Sequence, residues 1–263
     1  MNLNLSDHVA VVTGGASGIG RALCKRFAQE EAQAVYVADL DAEGATAVAM
    51  EIGKRAVAVA CDVRVEAQVA ALAERAFAEQ GRIDLFCSNA GIATNGSVEV
   101  PDALWQRTWE VNVMAHVYAA RAVLPRMLER GDGYLLQTAS AAGLLTSLAA
   151  APYAVTKHAA VALAEWLSIT YGARGIKVSC LCPQGVRTNM MFAGLEDRAT
   201  AAVLAAGPVL EADEVAEVTV QGLAAERFLI LPHREVAKYM ENKARDYERW
   251  LAGMRRLEAR LPR

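Results

Sequence analysis

The chain has 263 residues, 54% of them hydrophobic, and a formal net charge of −3 at neutral pH. This length and apolar content support a full core within one domain, and mild acidity without a basic cluster excludes a nucleic-acid partner. Five cysteines (24, 61, 87, 180 and 182) with no C-x-x-C pair exclude a disulfide framework and a zinc-type metal site.

The N-terminus is polar, reaches the first apolar run within nine residues and shows no signal-peptide pattern. No apolar run is long enough to span a bilayer, so we expect a soluble, cytoplasmic protein with no membrane partner. That first run, Val9–Val12, suits a strand buried on both faces. Glycines at 14, 15, 18 and 20 follow, and the chain resumes at helical spacing through Ala22, Leu23 and Ala28. A strand, glycine turn and helix present bare N–H groups and the positive end of a helix to an anion, usually a phosphate. Gly14 and Gly18 can adopt positive φ with no Cβ facing a ligand, and Gly20 lets helix and strand approach. The plain alternative is a structural turn without a ligand.

Strands are expected next at 34–39, 56–62, 83–91, 134–140, 176–183 and 228–232. Between them the periodicity predicts helices at 42–53, 66–80, 102–129 (with Pro125 in its last turns) and 152–173. This alternation predicts an α/β fold: a doubly wound, seven-stranded parallel sheet flanked by helices, with a ligand along the carboxyl ends of the strands. Residues 234–260 add a charged C-terminal helical extension with Tyr239, Tyr247, Trp250, Leu251 and Met254 available for packing.

Asp39 ends the second predicted strand, about twenty residues beyond the glycine turn, where a carboxylate can accept from both ribose hydroxyls of an adenosine. It would repel a 2′-phosphate, and no Lys or Arg lies at 13–20 or directly after Asp39, which favours NAD over NADP. The plain alternative is a helix cap. Asp62 ends the third predicted strand in the same way. Ser140 closes the fifth; Tyr153 opens a helix, and Lys157 lies one turn on, on the same face. A nearby ammonium favours phenolate and lowers a tyrosine pKa from its usual value near 10. Alone, Y-x-x-x-K is equally an exposed helix pair.

Here it does not stand alone. T-G-x-x-x-G-x-G at 13–20, Asp62, N-A-G at 89–91, Asn112, Ser140 and Y-x-x-x-K at 153–157 occur in one order. Over roughly residues 6 to 232 the chain resembles the short-chain dehydrogenase/reductase family, in its simple single-domain NAD(P)-dependent form. The resemblance implies one dinucleotide-binding and catalytic domain over 1–263. It implies Tyr153 as acid/base and Lys157 as the group that lowers its pKa and holds the nicotinamide ribose. Ser140 would orient the substrate oxygen, and Asn112 would hold a water linking Lys157 to solvent. Asn89, Ala90 and Gly91 would line the adenosine ribose; Gly14, Ser17, Gly18, Ile19, Gly20, Asp39, Asp62 and Val63 would line the rest of the cofactor site. Pro183, Val186 and Thr188 would meet the carboxamide and phosphates. The family pattern P-G-x-V-x-T is broken here by Gln184 in Pro183-Gln184-Gly185-Val186-Arg187-Thr188, which alters the pocket wall and offers substrate a polar contact.

The family covers its substrate with the segment after the sixth strand, here 189–210, with Met190, Met191, Phe192, Leu195 and Leu204. With Leu144, Leu145 and Leu148 it suits an adaptable apolar cavity. The expected substrate is an apolar secondary alcohol or ketone: a steroid, an aryl or alkyl carbinol, or a hydroxyacyl chain. Family members pair through their long helices, which implies a homodimer or homotetramer. Rival readings are the same chemistry with NADP and a non-catalytic nucleotide-sensing scaffold.

Overall fold

The computed structural model describes residues 5–192 and 198–261. Its main strands are β1 (Val9–Thr13), β2 (Ala34–Asp39), β3 (Ala56–Ala60), β4 (Leu85–Ser88), β5 (Gly133–Thr138) and β6 (Ile176–Leu181). A short pair, β7 (Val186–Arg187) and β8 (Leu210–Glu211), precedes the last strand, β9 (Leu229–Ile230). The sheet runs β3-β2-β1-β4-β5-β6-β9, and every pair is parallel. Strand order reverses between β1 and β4, and a crevice opens at such a point.

The helices are α1 (Gly18–Gln29), α2 (Ala42–Ile52), α3 (Glu66–Gln80), α4 (Asp102–Trp109), α5 (Ala115–Arg130), α6 (Ala142–Leu145) and α7 (Ala151–Tyr171). Then come α8 (Asn189–Phe192), α9 (Arg198–Ala206), α10 (Ala212–Ala224), α11 (Glu235–Arg245) and α12 (Tyr247–Glu258). Both sheet faces are covered, so strand residues alternate between two cores. Val9 and Val11 pack with α3, α5 and α7, whereas Ala10 and Val12 pack with α1, α2 and α10. The continuous apolar run of β1 follows from that double burial.

The predicted doubly wound sheet is present, with three differences in detail. Strands end earlier than their apolar runs: β3 stops at Ala60 and β5 at Thr138, so Asp62 and Ser140 lie in the loops beyond. Helix α10 was not foreseen; Glu211 and Glu214 form a capping box at its start, and Val215, Ala216, Val220 and Leu223 bury one face. The long helix at 102–130 is interrupted by a π-turn at Glu110–Met114 between α4 and α5, a wide turn found most often at functional sites. Leu195 and the side chain of Phe192 lie outside the described residues.

The C-terminal extension is a helical hairpin broken at Asp246, whose side chain caps α12 by accepting from Arg249 N at 2.9 Å. Three contacts dock it: Lys243 Nζ donates to Leu144 O at 2.7 Å, Tyr239 donates to Ala206 O at 3.1 Å, and Arg198 pairs with Glu258 at 2.8 Å. Among the described residues no helix is long and apolar enough to cross a membrane.

Candidate active site

The glycine turn sits at the carboxyl end of β1. Gly14 has φ +68°, and a Cβ there would lie 2.9 Å from Ala90 Cα. Gly20 has no room for a side chain either, since a Cβ would stand 1.9 Å from Gly14 O and 2.7 Å from Asn89 Nδ2. Thr13 fastens this turn to the end of β4: its hydroxyl accepts from Asn89 N at 3.0 Å and Ala90 N at 3.2 Å, and Asn89 Nδ2 donates to Thr13 O. Thr13 lies inside the glycine motif, yet its bracing role was not read from the sequence. Thr188, after β7, closes over the turn with its methyl 3.0 Å from where a Gly18 Cβ would be.

At the end of β2, Asp39 accepts from Ala16 N and Asp41 N, both at 3.0 Å, which leaves further lone pairs on both oxygens. Asp62 is held differently. Arg64 grips its carboxylate with Nε at 3.0 Å and Nη2 at 2.6 Å and holds its pKa below the usual range. Asp41, with its own bond from Gly44 N, is the cap of α2. The capping alternative for Asp39 is thereby removed.

Ser140, Tyr153 and Lys157 meet beside this turn. Gly143 allows α6 to lie on α7, because a Cβ would meet Lys157 O at 2.4 Å. Ser140 Oγ accepts from Ala142 N at 3.1 Å. Lys157 Nζ donates to Thr138 O at 3.0 Å and stands 5.7 Å from the Tyr153 ring centroid. Burial pushes the Tyr153 phenol up from its ordinary value, and hydrogen bonding with Ser140 opposes that. Burial also pushes the Lys157 ammonium down to about 8. Burial is the largest influence on the phenol, and the hydrogen bond with Ser140 is what opposes it.

Asn112 sits on the π-turn, fully buried. Its Oδ1 accepts from Ile92 N and its Nδ2 donates to Ile92 O, both at 2.9 Å, and Nδ2 also reaches Thr156 Oγ1 at 3.1 Å. The side-chain amide is therefore engaged with protein on both ends. A Cβ on Gly91 would stand 3.4 Å from both Asn112 Oδ1 and Lys157 Nζ, so the two flank that glycine.

One cleft of about 430 Å³ gathers every expected cofactor residue from Gly14 to Thr188, together with Ser140, Gln184, Met190 and Met191; of the expected catalytic residues, Asn112 alone lies behind its wall. A model of the family described as short chain dehydrogenase matches residues 8–199. The chain belongs to that family. A 1-deoxy-11-beta-hydroxypentalenate dehydrogenase of Streptomyces exfoliatus is 38% identical over 243 residues, 89% of this chain and 86% of the relative. A 3beta-hydroxysteroid dehydrogenase of Eggerthella lenta is 33% identical over 71% of this chain and 74% of its own. The crystal structure of a short chain dehydrogenase/reductase from Burkholderia phymatum in complex with NAD superposes with TM-score 0.86 at 30% identity, covering 93% and 95% of the two chains.

A second cavity, of about 700 Å³, shares Ser140, Tyr153, Gln184 and Val203 with the first. Leu145 and Leu148 line it as expected, but Leu144 packs onto the core instead and Leu204 faces solvent. The wall opposite α6 comes from α9 and the C-terminal hairpin. Arg187 and Arg198 are paired with Glu211 and Glu258. His233, which was also missed, braces the loop that carries Gln184. Its Nδ1 accepts from Gln184 N at 3.1 Å and its Nε2–H donates to Gly185 O at 3.0 Å. The Oε1 of Gln184 is buried and unpartnered.

His116 is buried behind Lys157, and its Nδ1–H donates to Gln137 Oε1 at 2.5 Å. Burial first, and the Lys157 charge second, push its imidazole down to about 4. The unfolded chain therefore binds one more proton between about pH 6.5 and 4, and stability is lost as pH falls through that window. Lowering pH from 7.5 to 4.5 costs on the order of 2 kcal/mol through this one group. Urea unfolding at the two pH values should show a shallower loss in His116→Gln than in wild type; equal losses would remove His116 as the cause.

Proposed function

We propose that this chain transfers hydride between NAD(H) and an apolar secondary alcohol/ketone pair, with Tyr153 as the acid/base. The observation that carries the reading is the meeting of Ser140, Tyr153 and Lys157 where the glycine-turn cleft opens into the second cavity. The cleft suits a dinucleotide: Gly14 and Gly20 let the turn fold closely against Ala90 and the start of α1, where a Cβ would collide, and Asp39 keeps acceptor capacity for a ribose. Gly14, Ser17, Gly18 and Ile19 would hold the phosphates. Asp39, Asp62, Val63 and Asn89–Gly91 would take the adenosine half. Lys157, Pro183, Val186 and Thr188 would take the nicotinamide half. When bound, the nicotinamide supplies the hydride acceptor or donor.

The remaining chemistry belongs to the protein. In oxidation, the Tyr153 phenolate removes the hydroxyl proton while the Ser140 hydroxyl holds the same oxygen. In reduction, the phenol returns that proton, and such positioned proton transfer is worth ~10² to 10⁴ in rate. Lys157 keeps a cation near the phenolate. Asn112 acts as a positioning residue, fixing Ile92 and Thr156, so that any relay water would be held by its main chain. Gln184, Met190 and Met191 would contact the substrate.

The relatives' names, a hydroxypentalenate dehydrogenase and a hydroxysteroid dehydrogenase, agree with a bulky apolar alcohol. Residues 1–263 would act as one domain. Val155, Trp166 and Ile169 expose an apolar stripe along α7, which supports a homodimer or homotetramer. Five buried, unbridged cysteines suit a reducing cytoplasm.

The test is a titration with NADH followed by turnover of apolar secondary alcohols, from 1-phenylethanol to 3-hydroxysteroids, with NAD. Nicotinamide fluorescence should report binding, and at least one alcohol should be oxidised. NADH binding without turnover of any alcohol would instead favour the scaffold reading.

A further inference from the structure

The second cavity has an unusual wall. Along α12, Trp250, Met254 and Leu257 recur at helical spacing and line it, and so do Arg249, Gly253 and Arg256 one position to the side. An apolar stripe and a guanidinium stripe thus face one chamber, side by side. Gly253 leaves room between the two arginines, since a Cβ there would come no nearer than 3.8 Å to Arg256 Nη2. Arg245, from the end of α11, joins them.

These three guanidiniums are not committed elsewhere. Among the described residues, Arg245, Arg249 and Arg256 have no side-chain hydrogen bond or ion pair, whereas Arg198 and Arg187 nearby are both paired. Asp246 is the single carboxylate lining the same chamber, and it accepts from the Arg249 backbone N–H. The wall is therefore net positive, and it is held in place by the Lys243, Tyr239 and Glu258 contacts described above.

From this juxtaposition we infer that the substrate is an anionic one: a bulky apolar alcohol or ketone carrying a carboxylate, its skeleton on Leu145, Leu148 and Trp250 and its acid group on Arg249, Arg256 and Arg245. This inference rests on the dehydrogenase reading above, because Tyr153 and Ser140 line the same chamber. The acid sits away from the reacting carbon, so it selects and orients the substrate and takes no part in proton transfer. Planar guanidinium forks match a carboxylate in two-point bonds, which an ester cannot accept with equal strength.

The test uses the full-length protein loaded with NADH, so that an added alcohol binds without turnover. Calorimetry would compare 4-(1-hydroxyethyl)benzoate and lithocholate, each with its methyl ester. Wild type should bind at least one acid about tenfold tighter than its ester, the scale of one charge-assisted hydrogen bond. Arg249→Gln/Arg256→Gln should bring that ratio to about one and leave NADH and ester affinities unchanged; Arg245→Gln should lower it in part. Rising salt should weaken acid binding alone. Equal binding of acid and ester, or a ratio untouched by the double variant, would overturn the anionic assignment while leaving the alcohol reading standing. Binding of neither acid nor ester on either skeleton would overturn both.

Discussion

Tyr153→Phe should lower kcat/KM by about 10² to 10⁴ while NADH affinity stays within about twofold of wild type. Only the hydroxyl is removed. The ring remains to fill its place beside Lys157, 5.7 Å from Nζ to the centroid, and Lys157 keeps its bond to Thr138 O. The pH dependence follows from the same environment. Burial holds the phenol protonated at neutral pH, which suits it to give a proton to a ketone. Alcohol oxidation needs the phenolate, so the oxidative rate should climb as pH rises, while the reductive rate holds at neutral pH and falls in alkali. Lys157 stands 5.7 Å from the Tyr153 ring centroid, where its ammonium lowers the cost of a phenolate, and loss of a nearby cation raises a phenol further. Lys157→Met should therefore move the oxidative limb to still higher pH. Rate profiles in both directions test this, and an unchanged rate in Tyr153→Phe would remove the phenol from the chemistry.

Discrimination between NADH and NADPH should be about a hundredfold and should reside in Asp39. Like charges about 4 Å apart cost ~4 kcal/mol at an effective dielectric of 20. Salt entering the open cleft reduces that to about 2.7 kcal/mol, which is the hundredfold. The neighbouring residue, Leu40, is 66% exposed and brings no positive charge to the cleft. Asp39 also accepts from Ala16 N and Asp41 N, so Asp39→Ala would loosen the turn and weaken both cofactors. Asp39→Asn keeps an acceptor and removes the charge. Its signature is a collapse of the affinity ratio toward one, read from parallel fluorescence titrations, whatever happens to the absolute affinities. A ratio that stays at wild-type level would place the selectivity elsewhere.

How far the site could be read from sequence depended on whether each residue's role was local. The glycine turn, the end of β2 and the Tyr153–Lys157 face are set by spacing along one strand or one helix, and all line the cleft. Asn112 also has its place in the pattern, but its partner Ile92 lies twenty residues away on another segment, and no periodicity reports such a pairing. The lowered tyrosine pKa was expected from charge alone; desolvation is a property of packing, invisible to spacing, and acts on the phenol in the opposite direction. Apolar runs overshot the strands at β3 and β5 because the loops that carry Asp62 and Ser140 are themselves covered. Helix α10 could have been found from its E-x-x-E start before an apolar pattern. The hairpin's period was plain, yet what it packed on was not, since an amphipathic face does not name its partner.

The docking of that hairpin has a consequence for how such an enzyme diversifies. Its anchors reach two helices at once, α6 at Leu144 and α9 at both of its ends, Arg198 and Ala206, but none of them touches the glycine turn or Asp39. Substitutions accumulating after residue 235 can thus reshape one chamber wall and leave the nucleotide cradle alone. The wall and the cradle lie on separate stretches of chain, so a tail exchanged with that of a relative should change the second cavity without disturbing the glycine turn.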